Sequence, residues 1–310
     1  MGINNDPGLD LSVDIAGIKL KNPVVTASGT CGYGREYLPY YPLSAIGAIT
    51  VKGICLNPKK GNRTPRVAET AGGMLNSIGL QNPGVKYFVE NELPNIKKYD
   101  TKIIANIFGE SIEEYCEVAE ILSCTDIDMI ELNISCPNIE CGGIHFGTDP
   151  KMTEKITKSV KKSTKKPLTV KLSPNVTDIT EIAKSAEGGG ADCISMINTL
   201  VGMKIDIKAR RPVLKNNTGG LSGAAIRPVA VRMIWQVKKS VRLPVIGMGG
   251  VCCGEDAIEL MLAGANAVAV GTASFTDPGA VLNVIEGISA YMAENNIKSA
   301  KDITGALEVW

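Results

Sequence analysis

Short apolar runs ending in Gly, Ser or Asn alternate along the chain with longer amphipathic segments. The runs fall at residues 23–28, 48–53, 102–108, 129–135, 167–172, 192–198, 244–248 and 267–271. Strands that are apolar on both faces belong to a parallel sheet covered by helices on both sides. Apolar positions recur at helical spacing over residues 111–122, 149–162, 178–188, 226–238, 255–263 and 278–294, which predicts helices between the strands. A hairpin over residues 13–20, turning near Gly17, precedes the first strand. The pattern predicts an α/β fold, a (β/α)8 TIM barrel. An open doubly wound sheet is the competitor, which periodicity alone does not exclude.

Two connections are too long for simple turns, residues 54–83 after strand 2 and residues 199–223 after strand 6. Long Gly-rich insertions after barrel strands are where lids and binding loops sit. No repeat or interdomain linker stands out, so residues 1–310 are expected to form one domain.

Composition narrows the function classes. With 44% hydrophobic residues in 310, the chain is long enough to bury a sizeable core. The 33 Lys+Arg balance 32 Asp+Glu, which argues against a basic surface for nucleic acid or anionic membrane. Residues 1–10 lack the basic and apolar regions of a signal peptide, and the uncharged stretch 260–275 is too short and polar for a spanning helix. A soluble cytoplasmic protein is expected. The nine cysteines are odd in number and contain no CxxC, so neither a disulfide framework nor a metal site is expected; most should be small buried hydrophobes. His145 is the single histidine, so any acid or base is expected to be another residue type.

In a barrel the C-terminal strand ends converge on one mouth. Those ends hold Ser28, Lys52, Gly53, Asn106, Asn133, Lys171, Ile197, Asn198 and Thr199, polar residues for the most part where a packed core would want Val or Leu. After strands 7 and 8 stand Gly249, Gly250, Gly271 and Thr272, where barrels often bind phosphate through exposed backbone N–H groups. Gly247 and Gly249 begin a GxGxxG pattern, but Cys252 replaces its third glycine and no acidic residue ends the next strand. A dinucleotide fold is rejected and a phosphate cradle retained. Cys136, beyond the fourth strand and followed by Pro137, sits on a loop from which it can reach the mouth. A thiol of pKa about 8.5 is a usable base when nearby cations such as Lys52 favour its thiolate.

Ala27-Ser-Gly29, Thr50-Val-Lys-Gly53, Gly61-Asn-Arg-Thr-Pro-Arg-Val-Ala-Glu-Thr70, Asn76-Ser-Ile-Gly-Leu-Gln-Asn82, Asn133-Ile-Ser-Cys-Pro-Asn138, Ile197-Asn-Thr199 and Leu221-Ser-Gly223 together resemble the class 1 dihydroorotate dehydrogenases. The similarity runs in order over nearly the whole chain. The stretch Gly142-Gly-Ile-His-Phe-Gly147 resembles the NAD-linked subclass. Class 2 differs in carrying serine at the base position and a membrane segment.

The resemblance implies that dihydroorotate is oxidised to orotate, with Cys136 taking the C5 proton while hydride leaves C6 for FMN. It assigns Lys52, Asn76, Ser77, Ile78, Gly79, Leu80, Asn133, Asn198 and Thr199 to the pyrimidine and its carboxylate. It assigns Ser28, Lys52, Gly53, Asn106, Asn133, Lys171, Ile197 and Gly223 to the flavin, and Gly249, Gly250, Gly271 and Thr272 to its phosphate. Asn side chains suit a heterocycle with several amide edges, and Lys171 suits the place where negative charge develops on the ring. A homodimer core with an FAD and [2Fe–2S] electron-transfer subunit, a heterotetramer, is implied too, because this chain has no NAD fingerprint.

The rivals are a fumarate-using class 1 enzyme, a dihydropyrimidine dehydrogenase-like flavin enzyme, a tRNA dihydrouridine synthase and a non-enzymatic scaffold. Lys52 as partner for a carboxylate, the balanced charge and the polar strand ends count against the last three. The stretch 204–215, with Lys208, Arg210 and Arg211, reads equally as a basic lid or as a solvated insertion.

Overall fold

The computed structural model describes residues 8–134 and 146–310. Cys136, Cys141 and His145 lie outside the described residues. Each apolar run forms one strand of a closed parallel barrel: β1 (Val24–Thr26), β2 (Ala48–Thr50), β3 (Lys102–Ile107), β4 (Met129–Asn133), β5 (Leu168–Lys171), β6 (Cys193–Met196), β7 (Val245–Met248) and β8 (Ala267–Val270). Sequence neighbours are barrel neighbours, and β8 closes against β1 through Val268↔Val24, Ala269↔Val25 and Val270↔Thr26. That closure excludes the open sheet. Most ladders stop short of the expected strand ends because the last residues of these runs already turn onto the rim. Lys52, for example, donates its N–H to Gly32 O at 2.9 Å rather than to a strand.

The helices follow from their apolar stripes. α1 (Ile112–Ser123), α2 (Pro150–Lys162) and α3 (Ile179–Gly188) bury Tyr115/Val118/Ala119/Leu122, Thr153/Ile156/Thr157/Val160 and Ile179/Ile182/Ala183/Ala186, all at i, i+3, i+4, i+7. Ser111, Asp149 and Asp178 start them by accepting first-turn N–H groups. α4 (Arg227–Ser240), α5 (Gly254–Leu262) and α6 (Ala280–Glu294) complete the outer ring. The N-terminal hairpin pairs Val13–Ile15 with Ile18–Leu20. Its two-residue turn holds Ala16 and Gly17 at φ +53° and +82°, and Val13, Ile15 and Leu20 join the main core.

Three features depart from expectation. Residues 85–96 are helical, in the pieces Val85–Tyr87, Phe88–Glu92 (a π turn) and Leu93–Ile96, and the π turn with Pro94 just after it breaks the helical periodicity. The two insertions pair with each other in a four-stranded antiparallel sheet, in the order Leu200–Gly202, Gly219–Ser222, Gly73–Asn76, Val67–Thr70. A small separate cluster of Ala68, Leu75 and Leu214 packs there. Among the seven described cysteines burial is less general than expected: Cys31, Cys55 and Cys193 are buried and Cys116 is half-buried, while Cys124, Cys252 and Cys253 are exposed. Cys252 and Cys253 sit on a rim loop rather than in a strand, which accounts for their exposure.

α5 and α6 cross at a glycine pair. A Cβ on Gly254 would lie 2.5 Å from Gly287 Cα, a backbone atom that cannot swing aside. Gly254→Ala should therefore lose roughly 1–3 kcal/mol of stability, the usual cost of overpacking. Urea unfolding reads this as a lowered midpoint at unchanged slope; a wild-type midpoint would contradict the tight crossing.

Candidate active site

The strand ends and both insertions enclose a cavity of about 1040 Å³ at the barrel rim. Every expected site residue within the described residues lines it. From the strand ends come Ser28, Lys52, Gly53, Asn106, Asn133, Lys171, Ile197, Asn198, Thr199, Gly249, Gly250, Gly271 and Thr272; from the insertions come Asn76, Ser77, Ile78, Gly79, Leu80 and Gly223.

The floor is a polar network across β3, β4 and β5. Lys171 Nζ stands 3.7 Å from Glu131 Oε1, and both side chains are almost wholly buried. Asn106 Nδ2 donates to Glu131 Oε1 at 2.5 Å, and Asn133 Nδ2 reaches Asn106 Oδ1 at 3.5 Å. Burying a charge pair costs desolvation that only good geometry and further hydrogen bonds offset. Neither charge could be removed alone without leaving its partner buried and unpaired. Sequence reasoning missed Glu131. Its signal was a carboxylate two residues before Asn133, hence on the same face of β4.

Insertion 1 is shaped by side chains clamping backbone. Asn62 Nδ2 donates to Ser77 O at 2.9 Å, and Asn62 N–H to Ile78 O at 2.9 Å. Gly79, at φ +74°, lies so near Asn62 that a Cβ would fall 2.6 Å from its backbone N. Asn82, also missed, accepts the N–H groups of Cys55 and Gly84 at 3.1 and 2.9 Å and donates to Leu80 O at 2.7 Å. The buried Ser77 hydroxyl has no hydrogen-bond partner among the described residues and lines the cavity. Asn175 does for insertion 2 what Asn82 does for insertion 1. It donates to Thr199 O at 2.9 Å and accepts Val201 N–H at 2.9 Å.

At the ends of β7 and β8 the backbone itself is the donor. Gly249 and Gly250 adopt φ +122° and +80°. Among the described residues, the N–H groups of Gly249, Gly250, Gly271 and Thr272 have no backbone acceptor. Such a cluster of amides suits an anion. Thr272 Oγ1 donates to Ser222 Oγ at 2.8 Å, which ties this end of the rim to insertion 2.

The basic stretch 204–215 forms an exposed hairpin of Ile205–Asp206 with Arg211–Pro212, and none of its cations lines the cavity. Lys204 is spent on Glu69 O at 2.7 Å. The solvated reading is favoured over the lid.

Of the described cysteines only Cys252 lines the cavity; its residue is exposed, but partial desolvation of the thiol, followed by nearby Asp256, raises its pKa. Burial pushes Cys31 and Cys193 up to about 12 and raises Cys55. None of these four offers a ready thiolate near neutral pH. Among the described residues no helix is long and apolar enough to cross a membrane.

Fold and mouth together define a (β/α)8-barrel protein whose large rim cavity has a charged, amide-rich floor and an anion-suited backbone cradle. Residues 10–292 match the family model described as dihydroorotate dehydrogenase, and the chain belongs to that family. It is 59% identical to the dihydroorotate dehydrogenase B (NAD(+)), catalytic subunit, of Alkaliphilus metalliredigens (strain QYMF), over 96% of this chain and 99% of that one. Proteins of the same name from Alkaliphilus oremlandii (strain OhILAs) and Geobacter sp. (strain M21) are 58% and 56% identical, over 96% and 97% of this chain and 99% of each relative.

The buried thiols generate a pH prediction. Cys31 and Cys193 keep their protons in the folded state up to about 12, whereas an ordinary thiol releases its own near 9.0. Their contribution to stability is complete below 9.0 and is lost as pH rises toward 12, because there the unfolded chain binds fewer protons. The slope is roughly 1.4 kcal/mol per pH unit per thiol. Cys193→Ala should decline less steeply than wild type in denaturant titrations across this range. Equal slopes would contradict the assignment.

Proposed function

We propose that this chain is the catalytic subunit of an NAD-linked dihydroorotate dehydrogenase, oxidising dihydroorotate to orotate in pyrimidine biosynthesis, with FMN held in the rim cavity. The observation that carries this reading is the convergence, in one cavity, of the buried Lys171–Glu131–Asn106 floor and the unpartnered amides after β7 and β8. A mononucleotide needs both, since its ring asks for polar edge partners and its phosphate for backbone donors. A planar carboxylated pyrimidine asks for amides and a cation, which Asn76, Asn133, Asn198 and Lys52 supply.

Gly249, Gly250, Gly271 and Thr272 would hold the phosphate. Ser28, Gly53, Asn106, Lys171, Ile197 and Gly223 would hold the flavin ring, with Lys52 and Asn133 between ring and substrate. When bound, the flavin supplies the two-electron acceptor for the substrate hydride. Lys171 would stabilise the negative charge that arrives with it. Lys52 would pair with the substrate carboxylate. Gly29, at φ +85°, makes the turn beside Lys52, where a Cβ would only come into ordinary contact with Nζ at 3.4 Å. Ser77 offers its unpartnered hydroxyl, and the Asn62, Asn82 and Asn175 clamps hold Ile78, Leu80 and Thr199 in place.

Oxidation also requires a proton to leave C5. We assign it to Cys136, three residues past the buried Asn133 that ends β4. Electrons then pass to NAD⁺ through a partner subunit carrying FAD and [2Fe–2S], around a homodimer of this chain in the cytoplasm.

Cys136→Ala should keep its fold, its flavin and orotate binding, yet slow anaerobic flavin reduction by dihydroorotate roughly 10²–10⁴-fold, the usual range for a general base. Cys252→Ala, which removes the described cavity thiol, should reduce its flavin at the wild-type rate. If Cys136→Ala matches wild type, or Cys252→Ala takes the loss instead, the base has been misassigned.

A further inference from the structure

The amides that suit an anion after β7 belong to a loop, and a loop keeps its N–H groups aimed only if something holds it. Two glycines at positive φ make this one more pliable than the strand that feeds it. The constraint comes from the flanking helices. Arg227, the first residue of α4, stands against Gly250 so tightly that a Cβ there would meet Arg227 Cβ at 2.6 Å and its backbone N at 3.1 Å. Its guanidinium crosses to α5, where Nη1 pairs with Asp256 Oδ1 and Nε lies 3.0 Å from Glu259 Oε2.

Asp256 is almost fully buried, and its other oxygen faces the loop. Oδ2 accepts the N–H of Cys252 at 2.8 Å and of Cys253 at 3.2 Å. The second contact closes the capping box of α5, in which Cys253 is the N-cap and Asp256 the N3 residue. One carboxylate thus binds α4, the loop and the start of α5. It also consumes the amides of Cys252 and Cys253, so among the described residues the donors left on this loop are those nearer the cavity, at Gly249, Gly250 and Val251.

We propose that Asp256, braced by Arg227, is a positioning residue for phosphate recognition: it fixes the 249–253 loop so that the Gly249 and Gly250 amides meet the phosphate of the bound mononucleotide. Neither residue lines the cavity. Both cationic nitrogens of Arg227 named above are already engaged by carboxylates. The inference rests on reading the cavity as an FMN site.

The test compares FMN with riboflavin, which shares the ring and lacks the phosphate, by titrating flavin-free protein and following flavin fluorescence. In the wild type FMN should bind more tightly than riboflavin. Asp256→Asn keeps the shape but removes the charge and one acceptor lone-pair set, and should weaken FMN at least about tenfold, a loss of about 1.4 kcal/mol. Riboflavin affinity should stay within about twofold, because the ring site is untouched. Should Asp256→Asn fail to fold, Arg227→Gln carries the same expectation in milder form. Equal loss of FMN and riboflavin would mean general disruption, and no loss of either would mean that the loop holds itself; both overturn the proposal. A wild type that binds the two flavins equally would instead refute the phosphate cradle itself, and with it the reading on which the proposal rests.

Discussion

Closure of β8 onto β1 is the constraint on which the rest of this structure depends. A strand edge left open would leave a row of N–H and C=O groups without partners in the core, and the Val268–Val24 to Val270–Thr26 register removes it. Once the ring is closed and all strands run parallel, their C-terminal ends share one rim. Polar residues that would each be a defect in a packed sheet become a set. The insertions then need only fold inward, and they do so by pairing Gly73–Asn76 with Gly219–Ser222 across nearly half the chain.

The floor shows what this arrangement costs. Glu131 and Lys171 lie in an interior where charges are expensive, and Asn106 helps to satisfy the carboxylate. An apolar pair would pack as well, so stability is not the reason for these residues. A fixed ammonium with a carboxylate behind it, set before any ligand arrives, is useful for charge that develops during a reaction, because no solvent has to reorganise. Asp256 follows the same logic beside the β7 end of the rim: a buried carboxylate takes up the Cys252 and Cys253 amides and so fixes the loop that carries Gly249 and Gly250.

Much of the barrel was legible because both-face apolar runs and i, i+3, i+4, i+7 stripes leave periodic signals, and the site was legible because Lys171, Asn106 and Asn133 interrupt those runs at their ends. What escaped was non-periodic. The four-stranded sheet joins segments far apart in sequence, built from Gly-rich pieces without alternation. The helical turn around Pro94 breaks its own stripe. Asn82, Asn175 and Asp256 act by gripping backbone amides and carbonyls across a loop, and such contacts appear only when the chain is folded. Glu131 was visible as a residue but not as a partner, because its meaning depends on Lys171 one strand away.

If the rim cavity is a mononucleotide site, the cofactor that copurifies with the chain is the most direct evidence of it. The chain should be purified under native conditions, its flavin released by denaturation, and the product identified by chromatography and mass. One FMN per chain is the expected result. Release of FAD, or a folded chain that neither retains nor takes up FMN, would contradict it.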